Sequence, residues 1–116
     1  MTPAPTLDDT LAALAEPTRR GVIDLLRQRP RPAGELAAEF HMSAPAMSRH
    51  LRVLRLKGLV EERHTEGADA RMRVYRLRRE PFVQLRDWAA EIEEFWSDQL
   101  ASFKEHAERP KKGKRK

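Results

Sequence analysis

Ser48, Arg49, His50 and Arg52 fall within one cationic, leucine-rich stretch that runs from Ser43 to Val60. Met47, Leu51 and Leu54 follow the i, i+4, i+7 spacing of a helix with one buried stripe, which turns Ser48, Arg49 and Arg52 outward. Such side chains suit a polyanion with readable edges. An arginine can pair bidentately with guanine O6 and N7, a contact worth about 1–3 kcal/mol of discrimination. Ser48 can reach a base or a phosphate, and the N–H groups at Ser43 and Ala44 open a helix N-terminus that suits a phosphate oxygen. Catalytic chemistry is not legible. The chain has no Gly-rich phosphate loop, no paired cofactor motif and no Ser/His/Asp constellation, so neither an enzyme nor a cofactor is expected.

The surrounding pattern supplies the elements that must hold this stretch. Leu7, Leu11 and Leu14 predict a short first helix ending before Pro17, and Pro17 fits the first turn of a second. Val22, Ile23, Leu25 and Leu26 form the apolar side of that helix, and Pro30-Arg-Pro32 ends it. A brief third helix over 33–40 turns Leu36, Ala37 and Phe40 inward, and His41-Met42 makes a tight connection. Ser43 then caps the fourth helix, Pro45 lies in its first turn, and Gly58 sits where a left-handed stop is wanted. Leu56 falls near the outward face and does not fit the wheel. Val60–Thr65 and Arg71–Leu77 read as two strands joined by a glycine-containing loop, with Tyr75 and Leu77 taken as inward. Pro81 opens the longest helix, to about Ala107, at ~1.5 Å per residue roughly 40 Å long. The order α-α-α-α-β-β-α, mainly α with a small β-hairpin, is that of a winged helix-turn-helix. The expected organisation is a flexible lead-in over 1–6, one DNA-binding and dimerisation domain over 7–107, and a basic disordered tail over 108–116.

Charge is segregated along the chain in a way that the total of +5 conceals. Residues 109–116 hold six basic groups and no acid, which leaves 17 Lys+Arg against 18 Asp+Glu elsewhere. Residues 43–79 carry ten basic and four acidic groups, net +6, and residues 80–108 two and eight, net −6. Such separation costs self-repulsion within each segment and points to a polyanion partner at one face. Cysteine is absent, so disulfides and thiolate metal sites are excluded. No apolar run approaches a membrane span and no signal-peptide pattern is seen. A cytoplasmic protein that does not engage the membrane is therefore expected.

Residues 11–79 resemble the ArsR family of bacterial transcriptional regulators. The opening Leu11-Ala-Ala-Leu-Ala-Glu-Pro-Thr-Arg19 and the Ser48-Arg49-His50-Leu51-Arg52-Val53-Leu54 helix, followed by Gly58-Leu59-Val60, carry the resemblance. It implies a homodimer through the first and last helices that represses transcription by binding an inverted repeat in double-stranded DNA. It also implies base contacts from residues 43–52, within a recognition helix at 43–57, and contacts to flanking DNA from a wing at 66–73 that includes Arg71 and Arg73. His50 matches a family histidine near the DNA backbone. Packing against its own domain is an equally good reading of that residue.

Many relatives release DNA when a metal binds, but the residues that would do so are missing here. The third helix, Glu35 to Phe40, has no thiolate, and Asp87-Trp88-Ala89 lacks the histidine that would complete a site on the last helix. The histidines at 41, 50, 64 and 106 form no locally spaced pair. A carboxylate site from Glu91, Glu94 or Asp98 competes with a solvated acidic face, the better explanation. No metal site is expected. Trp88, Ile92, Phe95, Trp96, Leu100 and Phe103 exceed what so small a monomer can cover, so a second copy is expected, with Leu7, Leu11 and Leu14 as the facing surface. Two other uses of that aromatic helix remain open: a protein-interaction module with a non-DNA partner, or a pocket for an unknown small-molecule effector between protomers. The basic tail either adds sequence-independent phosphate attraction or only solubilises the end.

Overall fold

A computed structural model describes residues 4–64 and 72–108. The chain divides into two compact units, Met1–Leu85 and Arg86–Lys116. The first contains α1 (Leu7–Ala13), α2 (Pro17–Gln28), β1 (Arg31–Pro32), α3 (Ala33–Glu39), α4 (Ala44–Leu56), β2 (Val60–His64) and β3 (Arg73–Leu77). α5 (Arg79–Glu108) begins there and supplies the described part of the second.

The helices start where side chains satisfy their free N–H groups. Thr6 caps α1 in a reciprocal box: its hydroxyl accepts from the Asp9 N–H, and the Asp9 carboxylate accepts from the Thr6 N–H, both at 3.1 Å. The lead-in expected over 1–6 therefore ends in a structural residue. Pro17 is at the start of α2, as its spacing predicts, but the cap is the Glu16 side chain, which accepts from the Arg19 N–H at 2.9 Å. The longest helix starts two residues before Pro81, at Arg79. Proline suits any place in a first turn, because no N–H there has a helical partner.

The strands form a three-stranded sheet in the order β1-β3-β2, both pairings antiparallel. β1 was not expected. Pro30-Arg-Pro32 does end α2, and Arg31 and Pro32 then pair with Tyr75 and Val74 as a two-residue edge strand. Proline lacks a ladder donor but is tolerated on an edge. β2 and β3 run in register from Val60↔Leu77 to His64↔Arg73. Thr65 and Arg71, where the two strands were expected to end and begin, lie outside the described residues. Tyr75 and Leu77 pack against the core, the face taken as inward where alternation alone left the choice open.

That core joins Val22, Ile23 and Leu26 of α2, Leu36 and Ala37 of α3, Met47, Leu51 and Leu54 of α4, and Leu59 and Val60 beyond it. Of α1 it takes Ala13, beside a buried Thr10 whose hydroxyl donates to the Thr6 carbonyl at 3.3 Å. Arg31 is also buried, and each of its three guanidinium nitrogens donates a hydrogen bond. It donates to the Leu25 carbonyl, to Gln28 Oε1 at 2.7 Å and to Glu35 Oε2 at 2.7 Å, tying the end of α2 to the first turn of α3. Gly21 lets α2 approach the Phe40 ring, which an added Cβ would meet at 2.7 Å.

Gly34 has no such reason to be glycine. It lies in α3 with open space where a Cβ would go. Gly34→Ala is expected to stabilise the fold by about 0.5–1 kcal/mol, because helical alanine loses less backbone freedom. A shift of the urea midpoint to higher concentration with an unchanged slope would show it, and an unchanged or lower midpoint would contradict it.

Candidate nucleic-acid interface

α3, the turn after it and α4 form a helix-turn-helix whose two exits are built alike. After α3, the His41 N–H donates to the Ala38 carbonyl at 3.2 Å and the Met42 N–H to the Ala37 carbonyl at 3.0 Å. After α4, the Gly58 N–H donates to the Arg55 carbonyl at 3.0 Å and the Leu59 N–H to the Leu54 carbonyl at 2.9 Å. Both are Schellman stops with one residue in the left-handed region. At φ 86° that residue is Gly58, as its place predicts; at φ 54° it is His41, where a side chain is held in a conformation usually left to glycine. Pro5 also packs over Gly58, within 2.7 Å of where a Cβ would stand.

Between these stops α4 is divided cleanly. Met47, Leu51 and Leu54 are buried, whereas Ser43, Ala44, Ser48, Arg49 and Arg52 are exposed. Leu56, which lies opposite the buried stripe, is 61% exposed. The Ser43 hydroxyl accepts from the Ala46 N–H at 3.2 Å and the Met47 N–H reaches the Ser43 carbonyl at 3.0 Å. Pro45 has no N–H. Of the first-turn donors within the helix, this leaves the Ala44 N–H for an anion.

The arginines differ in a way that residue type does not reveal. Among the described residues, Arg49 and Arg52 have no carboxylate partner. Arg55, one turn on, pairs with Glu62 of β2 at 3.8 Å. Arg73 donates to the same carboxylate at 3.3 Å. Arg76 and Arg63 pair with Glu61, and Arg78 with Glu80 at 3.7 Å. The expected base and phosphate donors thus divide into free groups on α4 and paired groups toward the hairpin. Arg71 and the tip of the expected wing lie outside the described residues, as does the basic tail from Arg109.

His50 is half-buried, and its Nδ1 faces Glu16 Oε1 at 3.9 Å. Glu16 therefore does two things: it caps α2 and meets a residue of α4. The hydrogen bond from the Arg19 N–H, and then the His50 charge, hold its carboxyl below the usual glutamate range. Arg19 also donates Nε–H to the Ala13 carbonyl at 2.7 Å, and Arg20 donates to the Leu14 carbonyl at 2.8 Å. Cations are thereby placed on the open end of α1, where the helix dipole favours them. The Glu16-Pro17-Thr18-Arg19 segment is a joint between α1 and α2. Its unusual glutamate followed by proline was the available sign of a cap.

The expected interface residues are placed as follows. Leu11 is exposed, Leu7 is half-buried, and Leu14 packs against its own core. On α5, exposure increases from 40% at Trp88 to 68% at Phe103, and Ile92, Phe95, Trp96 and Leu100 are all exposed. Phe95 and Trp96 meet edge to face, with centroids 5.5 Å apart. Among the described residues no three His, Asp or Glu side chains gather as metal ligands, and no helix is long and apolar enough to cross a membrane.

Comparison with known proteins places this geometry. Residues 16–62 match the family model described as bacterial regulatory protein, arsR family. The HTH-type transcriptional regulator Rv2034 of Mycobacterium tuberculosis is 36% identical over 96 residues, 83% of each chain. The chain belongs to the ArsR family. The transcriptional repressor SdpR of Bacillus subtilis is 33% identical over 61 residues, 53% of this chain and 67% of that one. A solved structure from Mycobacterium bovis, a homodimeric winged helix-turn-helix DNA-binding domain described as a possible ArsR-family regulator, superimposes with a TM-score of 0.56. It is 30% identical and the match covers 76% of this chain and 81% of that one. The matched region takes in the Glu16 joint, α3, α4 and the start of β2, so this member of the ArsR family is a winged helix-turn-helix transcriptional regulator.

Four carboxyls in this unit are held below their ordinary range. Asp9 is lowered by the Thr6 N–H, Glu16 by the Arg19 N–H, Glu35 by Arg29 and then Arg31, and Glu61 by Arg76. A depressed folded value stabilises above the unfolded value and is lost as pH falls through the folded one. Stability is therefore expected to be flat near neutrality and to decline once pH drops below about 4.3. Thermal melts from pH 7 to 3 would check this, and a midpoint that rises on acidification would contradict it.

Proposed function

We propose that this regulator is a homodimeric repressor that binds an imperfectly palindromic operator through α4 and the hairpin wing, with no metal switch. The observation that carries the reading is the outer face of α4, where Arg49 and Arg52 are exposed and, among the described residues, without a carboxylate partner, while the buried stripe fixes the helix from within. Arg49, Arg52 and Ser48 are assigned to base edges and nearby phosphates, the Ala44 N–H and Ser43 to a phosphate, and Arg71 and Arg73 to flanking DNA. His50, turned toward Glu16, is assigned mainly to orienting α4. Two recognition helices related by a two-fold axis enter successive major grooves about 34 Å apart, and for that reason the operator is palindromic. Repression is supported by the likeness to SdpR. The absence of a metal switch rests on the missing cysteines and on histidines without local spacing.

Self-association through α5 follows from the row Trp88, Ile92, Phe95, Trp96 and Leu100, with Leu11 as the contribution of α1. Apolar side chains this large and this exposed form a patch that a second copy would cover. The homodimeric Mycobacterium bovis neighbour supports it. The protein so described works in the cytoplasm, at the nucleoid.

Two outcomes test the reading. Arg49→Ala should weaken binding to a duplex selected from a random pool by about 1–3 kcal/mol while random-sequence binding changes little. Equal loss on both would remove its base-reading role. Trp96→Glu should shift the protein toward monomer in sedimentation and lower operator affinity with it. A wild-type protein that sediments as a monomer at assay concentrations would overturn the dimer.

A further inference from the structure

Glu62 stands between two cations on the side of α4 that faces the hairpin. It lies in β2 opposite Tyr75, so Arg73, two residues before Tyr75 in β3, is its diagonal cross-strand neighbour. Arg73 Nη1 donates to Glu62 Oε2 at 3.3 Å, and Arg55 Nε lies 3.8 Å from Glu62 Oε1. The Tyr75 hydroxyl faces it too: burial first, then this carboxylate's charge, push the Tyr75 pKa up. The Glu62 side chain is 26% exposed, against 45% for Arg55 and 63% for Arg73. A mostly covered carboxylate therefore holds two cations whose own side chains remain open to solvent.

An unpaired arginine that meets a phosphate releases a counterion from DNA, and this makes binding favourable and salt-dependent. An arginine that must first leave a carboxylate gains less. It exchanges one ion pair for another, and the vacated carboxylate takes up a cation as the DNA releases one. Arg49 and Arg52 belong to the first kind, and Arg55 and Arg73 to the second.

We propose that Glu62 acts as an internal competitor for the DNA backbone, holding Arg55 and Arg73 in place while suppressing most of their attraction for phosphate. The inference rests on the assignment of α4 and the wing to DNA. Its consequence is that sequence-independent affinity is kept low on the hairpin side, for random and operator duplexes alike.

Fluorescence anisotropy of the full chain on a random-sequence duplex, titrated across salt, tests this. Glu62→Gln is expected to tighten binding several-fold and to steepen the salt slope by about 1–2, near 0.9 per recovered phosphate contact. On the selected operator the gain should be similar. Glu62→Gln introduced together with Arg55→Gln and Arg73→Gln should gain nothing over those two alone. An equal gain in that background would mean only a long-range charge effect and would overturn the proposal, as would no gain in the single variant. Arg73→Gln alone gives a check that does not depend on how Glu62→Gln folds: it should cost little, and loss of a full slope unit would refute the competition. Wild-type protein that binds no duplex at low salt would defeat the DNA assignment and this proposal with it. Binding that Glu62→Gln leaves unchanged would defeat this proposal alone.

Discussion

Burial of Met47, Leu51 and Leu54 sets the phase of α4, and that phase decides which side chains reach outward. Successive residues turn by about 100°, so rotating the helix by one residue would bring Ser48 toward the site of Met47 and Arg52 toward that of Leu51. Removing a buried leucine typically costs about 2–5 kcal/mol, and burying an unpaired guanidinium costs several more. Either loss is a large share of the stability of a small domain. The two Schellman stops reinforce the phase from the ends, because each closes the helix ladder at a defined carbonyl. Arg49 and Arg52 face outward because every alternative rotation is penalised twice.

The same core explains why the cations are distributed as they are. Glu61 and Glu62 are adjacent in β2 and lie on opposite faces of the strand. Glu61 takes Arg76, directly across the ladder, and Glu62 takes Arg55 and Arg73. Of the ten basic groups counted over residues 43–79, several are therefore not available to a polyanion. Several of those charges are already neutralised locally, and exposed pairs of this kind contribute little to stability individually. Their larger effect is on the electrostatic surface where, among the described residues, Arg49 and Arg52 of α4 keep unpaired charge.

What was legible in the sequence followed from periodicity and from residues with a single strong preference. The α4 stripe, the stop at Gly58 and Pro17 at the start of α2 all belong to this kind, as does the resemblance carried by two short motifs, whereas alternation left open which face of β3 turns Tyr75 and Leu77 inward. What was not legible depends on a partner distant in sequence or on an atypical residue in a common role. β1 exists because Tyr75 and Val74 are there to pair with Arg31 and Pro32. Arg31 looks like one more surface arginine until the Leu25 carbonyl, Gln28 and Glu35 converge on it. Glu16 caps α2 although glutamate is not among the usual caps, and His41 takes a left-handed turn that glycine would ordinarily fill. At the candidate interface the residue types pointed to α4, but not to the division between free and paired arginines, because that depends on where β2 places its carboxylates.

α5 combines two properties that pull in opposite directions. Residues 80–108 carry a net charge of −6, which disfavours approach to phosphate, while Trp88, Ile92, Phe95, Trp96 and Leu100 disfavour exposure to water. A surface that is both acidic and oily cannot lie well against DNA, and it gains most from contact with another apolar surface. The acidic groups also discourage arrangements that would bring two such helices together along their charged faces, leaving the aromatic row as the surface that can be shared. Charge segregation along the chain therefore separates two kinds of surface: exposed cations without a described carboxylate partner on α4, and acids beside an apolar row on α5.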